Sequence, residues 1–569
     1  MSNFPYLLVL LLLPLIGSIV VAGMGGAPVR TAKLTALAIS LVEFVVAVGL
    51  WFDYRSFMGS GSSDAFGEVV RVSWIGSFNI SFALGTDGIS LVLIAMTCFL
   101  VPIVLGASWE EKLPAGRTIT GYFSLILVFQ SAMIGMFAAT DVFLFYCFFE
   151  LMLIPMYFLV GYFGGPRRAY AATKFFLYSL LGGLLMLASV IGLYVASGKV
   201  LPEGTMDWET LRSIAHQIPE STQIWIFLGF AVAFAIKAPL VPFHTWLPEA
   251  GAEAPTGAST MLVTTMDKVG TFGFLRICLP LLPAASHKLV WLFLVLALLG
   301  IIYAAIVASM QTDLKKFVTF TSIAHFGFIA MGVFAFTTQA MAGAVLYMLN
   351  HGIATGLLFI VIGMLISRGG SRNIADYGGV WKIAPVLAGV FLVATMATLA
   401  LPGTNSFVSE FLVLIGTFQR YPVVAVIGTA GIILSSVYIL WIFQRTMTGP
   451  VRGAAVLDDG SSTVVSDGSL SDGSGSNHDA SLETGHSPQP GAGSGVAVAV
   501  KDAKPKVKFG DLKPREIVVV APLIAAIIFL GVYPKPVLDV IQPTVAATMT
   551  AIGATDPGTA VTIVNGGGN

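Results

Sequence analysis

The sequence predicts an all-α polytopic membrane protein, and three observations carry that expectation. Apolar runs of about 20 residues, the length that crosses a hydrocarbon core, recur along nearly the whole 569-residue chain. Only 11% of the residues are charged, under half of the roughly 25% usual for soluble domains. The mean hydropathy is +0.87. Counting the runs gives fourteen spans, at about 5–24, 31–52, 88–109, 118–138, 141–163, 170–196, 223–247, 256–277, 288–309, 317–336, 338–366, 383–418, 422–446 and 515–533.

The first span, Tyr6 to Met24, lacks a basic leader, and its apolar run exceeds the 7–15 residues of a signal peptide. It reads as a retained transmembrane helix. Residues 1–117 then hold spans one to three with an outer loop. Span seven carries Pro239 and Pro242, and the over-long span twelve carries Pro402-Gly403. Both read as broken helices, because proline removes one backbone hydrogen bond and clashes with the preceding turn. Backbone freed in this way survives at membrane depth only where protein buries it or it lines a cavity. Spans seven and twelve lie five apart in the span order, so they run in opposite directions. That is the arrangement of two inverted five-helix repeats, spans four to eight (118–277) and nine to thirteen (288–446). Residues 451–508 are rich in Gly, Ser and Asp and predict a disordered cytoplasmic linker; a docking tail for a partner is the alternative. The last span, 515–533, is followed by an outer tail, 534–569, of little signal.

Basic residues set the orientation. Arg30, Lys33, Lys112, Arg117, Arg167, Arg168, Lys315, Lys316, Arg368, Arg372 and Lys382 fall in alternate loops, while the opposite short loops hold mainly Lys288 and Arg420. The first group marks the cytoplasmic side, and an even span count then places both termini outside. The formal net charge is zero, which gives no pointer to nucleic acid. Cys98, Cys147 and Cys278 sit in apolar spans without a Cys-x-x-Cys pair. That argues against an iron–sulfur cluster, a zinc site or a disulfide framework. With no phosphate loop and no nucleophile–base cluster, no bond chemistry is expected within this chain.

Four ionisable residues interrupt the apolar spans: Glu150, Lys237, Lys268 and Glu410. A charge at the bilayer centre costs roughly 2.5–3.5 kcal/mol on insertion scales and marks function by default. Lys237 stands two residues before Pro239, so an ammonium meets a helix break. A lysine whose carboxylate partner moves away can release and rebind a proton, and Glu150 is the natural partner; the competing reading is a static pair that fixes packing. Lys268 follows Asp267 directly, and neighbours on a helix point about 100° apart, so the two need not pair. His325 and His351 are intramembrane imidazoles with an ordinary pKa near 6.5, suited to shuttling protons. Glu410 stands eight residues past Pro402, where it can end a relay. Glu43 reads as a structural pair or lateral contact, Lys315 and Lys316 as interfacial anchors, and His244 with Trp246 as an interfacial turn.

Several stretches together carry a family resemblance. They are Gly85-Thr-Asp-Gly-Ile-Ser-Leu91, Phe148-Phe-Glu150-Leu-Met-Leu-Ile-Pro155, Pro242-Phe-His-Thr-Trp-Leu-Pro-Glu249 with Glu253-Ala-Pro255, Gln311-Thr-Asp-Leu-Lys-Lys316, Ser322-Ile-Ala-His-Phe-Gly327 and Leu401-Pro-Gly403. In this order, over about residues 80 to 445, the chain resembles the antiporter-like subunits of proton-pumping NADH-quinone oxidoreductase, respiratory complex I. A related core occurs in multisubunit Na⁺(K⁺)/H⁺ antiporters, which is the alternative function. Among the paralogous complex I chains, glutamate at the position of Glu410 marks the M type.

The resemblance implies a proton-translocating membrane-arm subunit driven by quinone reduction elsewhere in the complex, in the plasma (inner) membrane of a bacterium. Glu150 and Lys237 would form an ion pair, Lys268, His325 and His351 the central axis, and Glu410 its terminal group. No cofactor is implied in this chain; FMN, iron–sulfur clusters and quinone would belong to partner subunits. Neighbouring antiporter-like chains and lipid would be its contacts. The chain departs from the family at Gly251, where a second histidine is usual, at Asp267, where an aliphatic residue is usual, and in its long 451–508 segment.

Overall fold

Among the described residues, twelve helices are long and apolar enough to cross a membrane. The computed structural model describes residues 4–59, 65–458, 506–507 and 509–558, so most of the segment expected to be a disordered linker lies outside the described residues. The first helices are α1 (Tyr6–Gly23), α2 (Val29–Gly59), α3 (Gly88–Ala107) and α4 (Ile119–Ala138). A hairpin of β1 (Gly67–Ile75) and β2 (Ile80–Thr86) joins α2 to α3. Asp87 starts α3 with a capping box, accepting from Ser90 N at 2.8 Å while Ser90 Oγ accepts from Asp87 N at 2.9 Å.

The fifth span is α5 (Val142–Leu151) continued by α6 (Leu153–Gly161). Pro155 cannot donate to the Leu151 carbonyl, so the helix is interrupted at Met152, beside Glu150. Then come α7 (Arg168–Ser197), a short outer α8 (Trp208–Ile214), α9 (Glu220–Lys237) and α10 (Trp246–Glu253). The eighth expected span is helical but segmented: α11 (Thr256–Met261), a π turn Leu262–Met266, α12 (Lys268–Gly273), a second π turn Phe274–Cys278 and α13 (Leu279–Leu281). The remaining helices are α14 (Pro283–Ser309), α15 (Leu314–Phe334), α16 (Thr338–Gly369), α17 (Pro385–Thr398), α18 (Asn405–Arg420), α19 (Pro422–Met447), α20 (Pro514–Val532) and α21 (Lys535–Ala551).

Both predicted helix breaks are present. α9 and α10 are separated by 238–245, which holds Pro239 and Pro242, and α17 and α18 by 399–404, which holds Pro402 and Gly403. At the second break Gly403 has φ +93°, a conformation glycine adopts without a Cβ penalty. Of the fourteen expected spans, ten are continuous helices and four are interrupted, at 142–161, 220–253, 256–281 and 385–420. The turns of Ile374–Lys382 meet α17 at 114°.

Burial separates centre from periphery. The apolar stretches of α15 and α16 are 94% buried, whereas that of α2 is only 28% buried. Exposed Val42, Val45 and Phe52 on α2 therefore face lipid or a neighbour.

Two expectations are corrected here. Residues 451–457 do not behave as free linker: Arg452 N and Ala455 N donate to Gly378 O and Asp376 O, each at 3.2 Å, and Leu457–Asp458 pairs with Lys506–Val507. The outer tail contains α21, whose Val537, Val540, Ile541 and Val545 are buried. That spacing forms one apolar stripe, too short and too one-sided to register as a span. Thr544 of α21 accepts from Gly88 N at 2.9 Å, docking it on the start of α3.

Candidate functional site

The break after α9 is closed by tertiary hydrogen bonds. Trp246 Nε1 donates to the Ile236 carbonyl at 2.8 Å, and Leu240 N to the Ala235 carbonyl at 2.9 Å. Trp246 is fully buried and His244 buried. His244 packs edge-on against Tyr303 at 5.3 Å.

Lys237, the last residue of α9, is buried and donates to Ser179 Oγ on α7 at 3.1 Å. Its ammonium lies 5.4 Å from the Phe149 ring centroid and 5.3 Å from that of Phe175, cation–π distances. Glu150 approaches the same face of α7 one turn further on, its Oε1 pressed against Gly183, where any Cβ would collide with it. That oxygen is buried and has no hydrogen-bond partner. Among the described residues no nitrogen–oxygen contact within 4.0 Å joins Glu150 to Lys237, although each still feels the other's charge. Ser179 holds the ammonium instead, about 6 Å along the helix from the glycine that accommodates the carboxylate.

A second cluster is built around α16. Lys268 Nζ donates to Val263 O at 2.7 Å and Asp267 Oδ1 at 2.9 Å, and lies 2.7 Å from His351 Nδ1. Asp267 and Lys268 do pair: they follow directly on the π turn Leu262–Met266, and the lysine stem folds back toward Val263. Ser322 Oγ donates to the other Asp267 oxygen at 3.4 Å. The His351 ring stands perpendicular to His325 at 5.4 Å, and His325 lies 5.9 Å from the Tyr347 ring. Tyr347 Oη donates to Glu410 Oε2 at 3.1 Å. Lys268, His351, His325, Tyr347 and Glu410 are all buried. Tyr347 and His351 share one face of α16, four residues apart.

The second break is pinned to this helix by reciprocal amides. Asn350 Nδ2 donates to Asn405 O at 2.7 Å, and Asn405 Nδ2 to Asn350 O at 3.0 Å. The helix break at Pro402-Gly403 thereby fixes the height of Glu410. Sequence reasoning missed Tyr347, Ser179, Asn350 and Asn405. The available signals were Tyr347 one turn before His351 and an asparagine just after the second break.

Other expectations change. Lys315 and Lys316 are not free anchors: Lys315 Nζ donates to Ala254 O at 2.7 Å and Lys316 Nζ to Glu249 Oε1 at 2.8 Å. Arg372 joins Glu253 at 3.1 Å and Asp313 at 3.3 Å in the same network. Glu43 is fully buried, and neither carboxyl oxygen has a hydrogen-bond partner, so the reading as a structural pair fails. At the head of α5, Asp141 accepts from Ser81, Phe143 and Leu144 N at 2.9–3.1 Å. Burial nonetheless pushes its carboxyl up to about 6.

The family model described as NADH:quinone oxidoreductase/Mrp antiporter, transmembrane, matches residues 139–435. NADH-quinone oxidoreductase subunit M of Mycobacterium tuberculosis is 42% identical over 592 aligned residues, covering 99% of this chain and 97% of that protein. Subunit M of Rhodobacter capsulatus is 34% identical, with 94% of each chain covered. Among solved structures, respiratory complex I from Thermus thermophilus with bound NADH aligns at TM-score 0.77 and 28% identity, over 96% of this chain and 100% of that one. An Mrp complex from a Dietzia species aligns at TM-score 0.77 and 19% identity, over 97% and 100%; that likeness shows the fold alone.

Proposed function

The chain belongs to the NADH:quinone oxidoreductase/Mrp antiporter transmembrane family, and on that premise we propose that it is the M-type proton-translocating subunit in the membrane arm of an NADH-quinone oxidoreductase. The observation that carries the proposal is the buried run of Lys268, His351, His325, Tyr347 and Glu410, joined by hydrogen bonds at its two ends and by ring contacts between them. Such a run has no structural need to exist in a bilayer, where each ionisable group is costly.

Its chemistry suits proton transfer. Lys268 and His351 are in direct contact, imidazoles accept at one nitrogen while donating at the other, and the tyrosine hydroxyl is both donor and acceptor. A proton placed on Lys268 passes to His351, crosses to His325 and leaves toward Glu410. Glu150 and Lys237 are the input: a change in their separation, driven by quinone reduction elsewhere in the complex, alters the charge that the axis meets. The two broken helices, Pro239 with Pro242 and Pro402 with Gly403, are the corresponding positions of two inverted repeats, 118–277 and 288–446. The bound cofactors, FMN and iron–sulfur clusters, and the quinone site lie in partner subunits. The chain sits in the plasma (inner) membrane of a bacterium with both termini outside.

The test is proton translocation by the reconstituted complex carrying Lys268→Ala or Glu410→Ala. A fall in protons moved per NADH oxidised is expected. A parental ratio in both variants would refute the relay.

A further inference from the structure

We propose that Ser179 is a positioning residue for Lys237, a second station that holds the lysine side chain whenever it is parted from Glu150. The proposal rests on the relay reading above and deepens it. Ser179 Oγ, at 3.1 Å, is the one hydrogen-bond partner of the Lys237 ammonium among the described residues. Glu150 does not reach the lysine, and its Oε1 is buried without a partner against Gly183. Ser179 and Gly183 are four residues apart on α7, so hydroxyl and carboxylate stand on one helix face about 6 Å apart along its axis. A lysine stem covers that distance by rotamer change alone.

The two stations differ chemically. A carboxylate accepts a strong, charge-assisted bond from an ammonium, but from a neutral amine only a weak N–H bond, and it has no proton to give the amine lone pair. A hydroxyl accepts from the ammonium and can donate to the amine. When an N–H bond of Lys237 breaks and its proton forms a new N–H bond on a neutral Lys268 amine, the amine left behind keeps its place through Ser179 O–H···N. The hydroxyl therefore meets the side chain as acceptor or donor in both protonation states, whereas the Glu150 carboxylate holds it strongly only as the ammonium. Gly183 contributes by its missing Cβ, which lets the carboxylate lie close to α7 without displacing the Ser179 station.

The test compares Ser179→Ala and Ser179→Thr in the intact complex, reconstituted into vesicles and matched for assembled complex. Ser179→Ala is expected to lower the protons moved per NADH and to slow coupled turnover about tenfold, the effect of one hydrogen bond of ordinary strength. It is also expected to shift the pH profile of coupled turnover, which a packing defect would leave in place. Ser179→Thr, which keeps the hydroxyl, is expected to restore both. Parental pumping in Ser179→Ala overturns the proposal, and so does failure of Ser179→Thr to rescue it, since the effect is then packing. Lys237→Ala is run beside them: if it pumps normally the relay itself falls, whereas its failure with Ser179→Ala intact removes only the second station.

Discussion

Tyr347→Phe isolates one link of the buried axis. The ring, 5.9 Å from His325, is retained, and only the hydroxyl that donates to Glu410 at 3.1 Å is lost. No other hydrogen bond reaches the Glu410 carboxyl among the described residues. A hydrogen bond to an ionised group is worth about 1.5–3 kcal/mol, and each 1.36 kcal/mol is about a factor of ten in rate. Transfer between His325 and Glu410 should therefore slow about ten- to a hundredfold. Packing changes little, because a fully buried ring is replaced by one of the same shape. The assay is protons translocated per NADH oxidised by the reconstituted complex, with uncoupled NADH oxidation as the control for assembly. A variant with parental coupling and parental coupled rate would show that the terminal link does not run through Tyr347, and the ordering proposed for the axis would be wrong.

Three further outcomes are expected. Trp246→Phe removes the donor to Ile236 O and should lower stability by about 1–3 kcal/mol, the cost of a buried unsatisfied carbonyl; an unchanged melting temperature would count against the cap. Asn350→Leu deprives Asn405 O of its donor, so amide exchange over 405–409 should accelerate roughly tenfold, while exchange over α19 stays constant. Glu68 accepts from Leu7 N at 3.0 Å, and burial pushes its carboxyl up from 4.5 to about 7. Because the folded state then binds the extra proton, its contribution is full below 4.5 and is lost as pH rises through about 7. The Leu7 amide should be best protected in mild acid, after correction for intrinsic exchange, and Glu68→Gln should flatten that dependence.

The membrane class, both helix breaks and six of the site residues were legible in the sequence because each follows from a local rule. An apolar run of spanning length, a proline inside it and an ionisable group within it need no knowledge of neighbours. What joins those residues was not legible. Neighbours about 100° apart on a helix need not pair, and the structure brings Asp267 and Lys268 together just past the π turn at Leu262–Met266. Glu150 and Lys237 were expected to touch, and the structure separates them through a serine and a glycine on α7 that look like ordinary small residues in a span. Tyr347 reads as one more aromatic until Glu410 is brought against it by α18.

The sequence by itself determined which residues are costly in a bilayer and where the helices must break, since solvation and backbone chemistry act residue by residue. Only the tertiary structure decided which of those residues share a hydrogen bond. Pairing depends on how α7, α12, α15, α16 and α18 pack, and on turns whose register one extra residue can change.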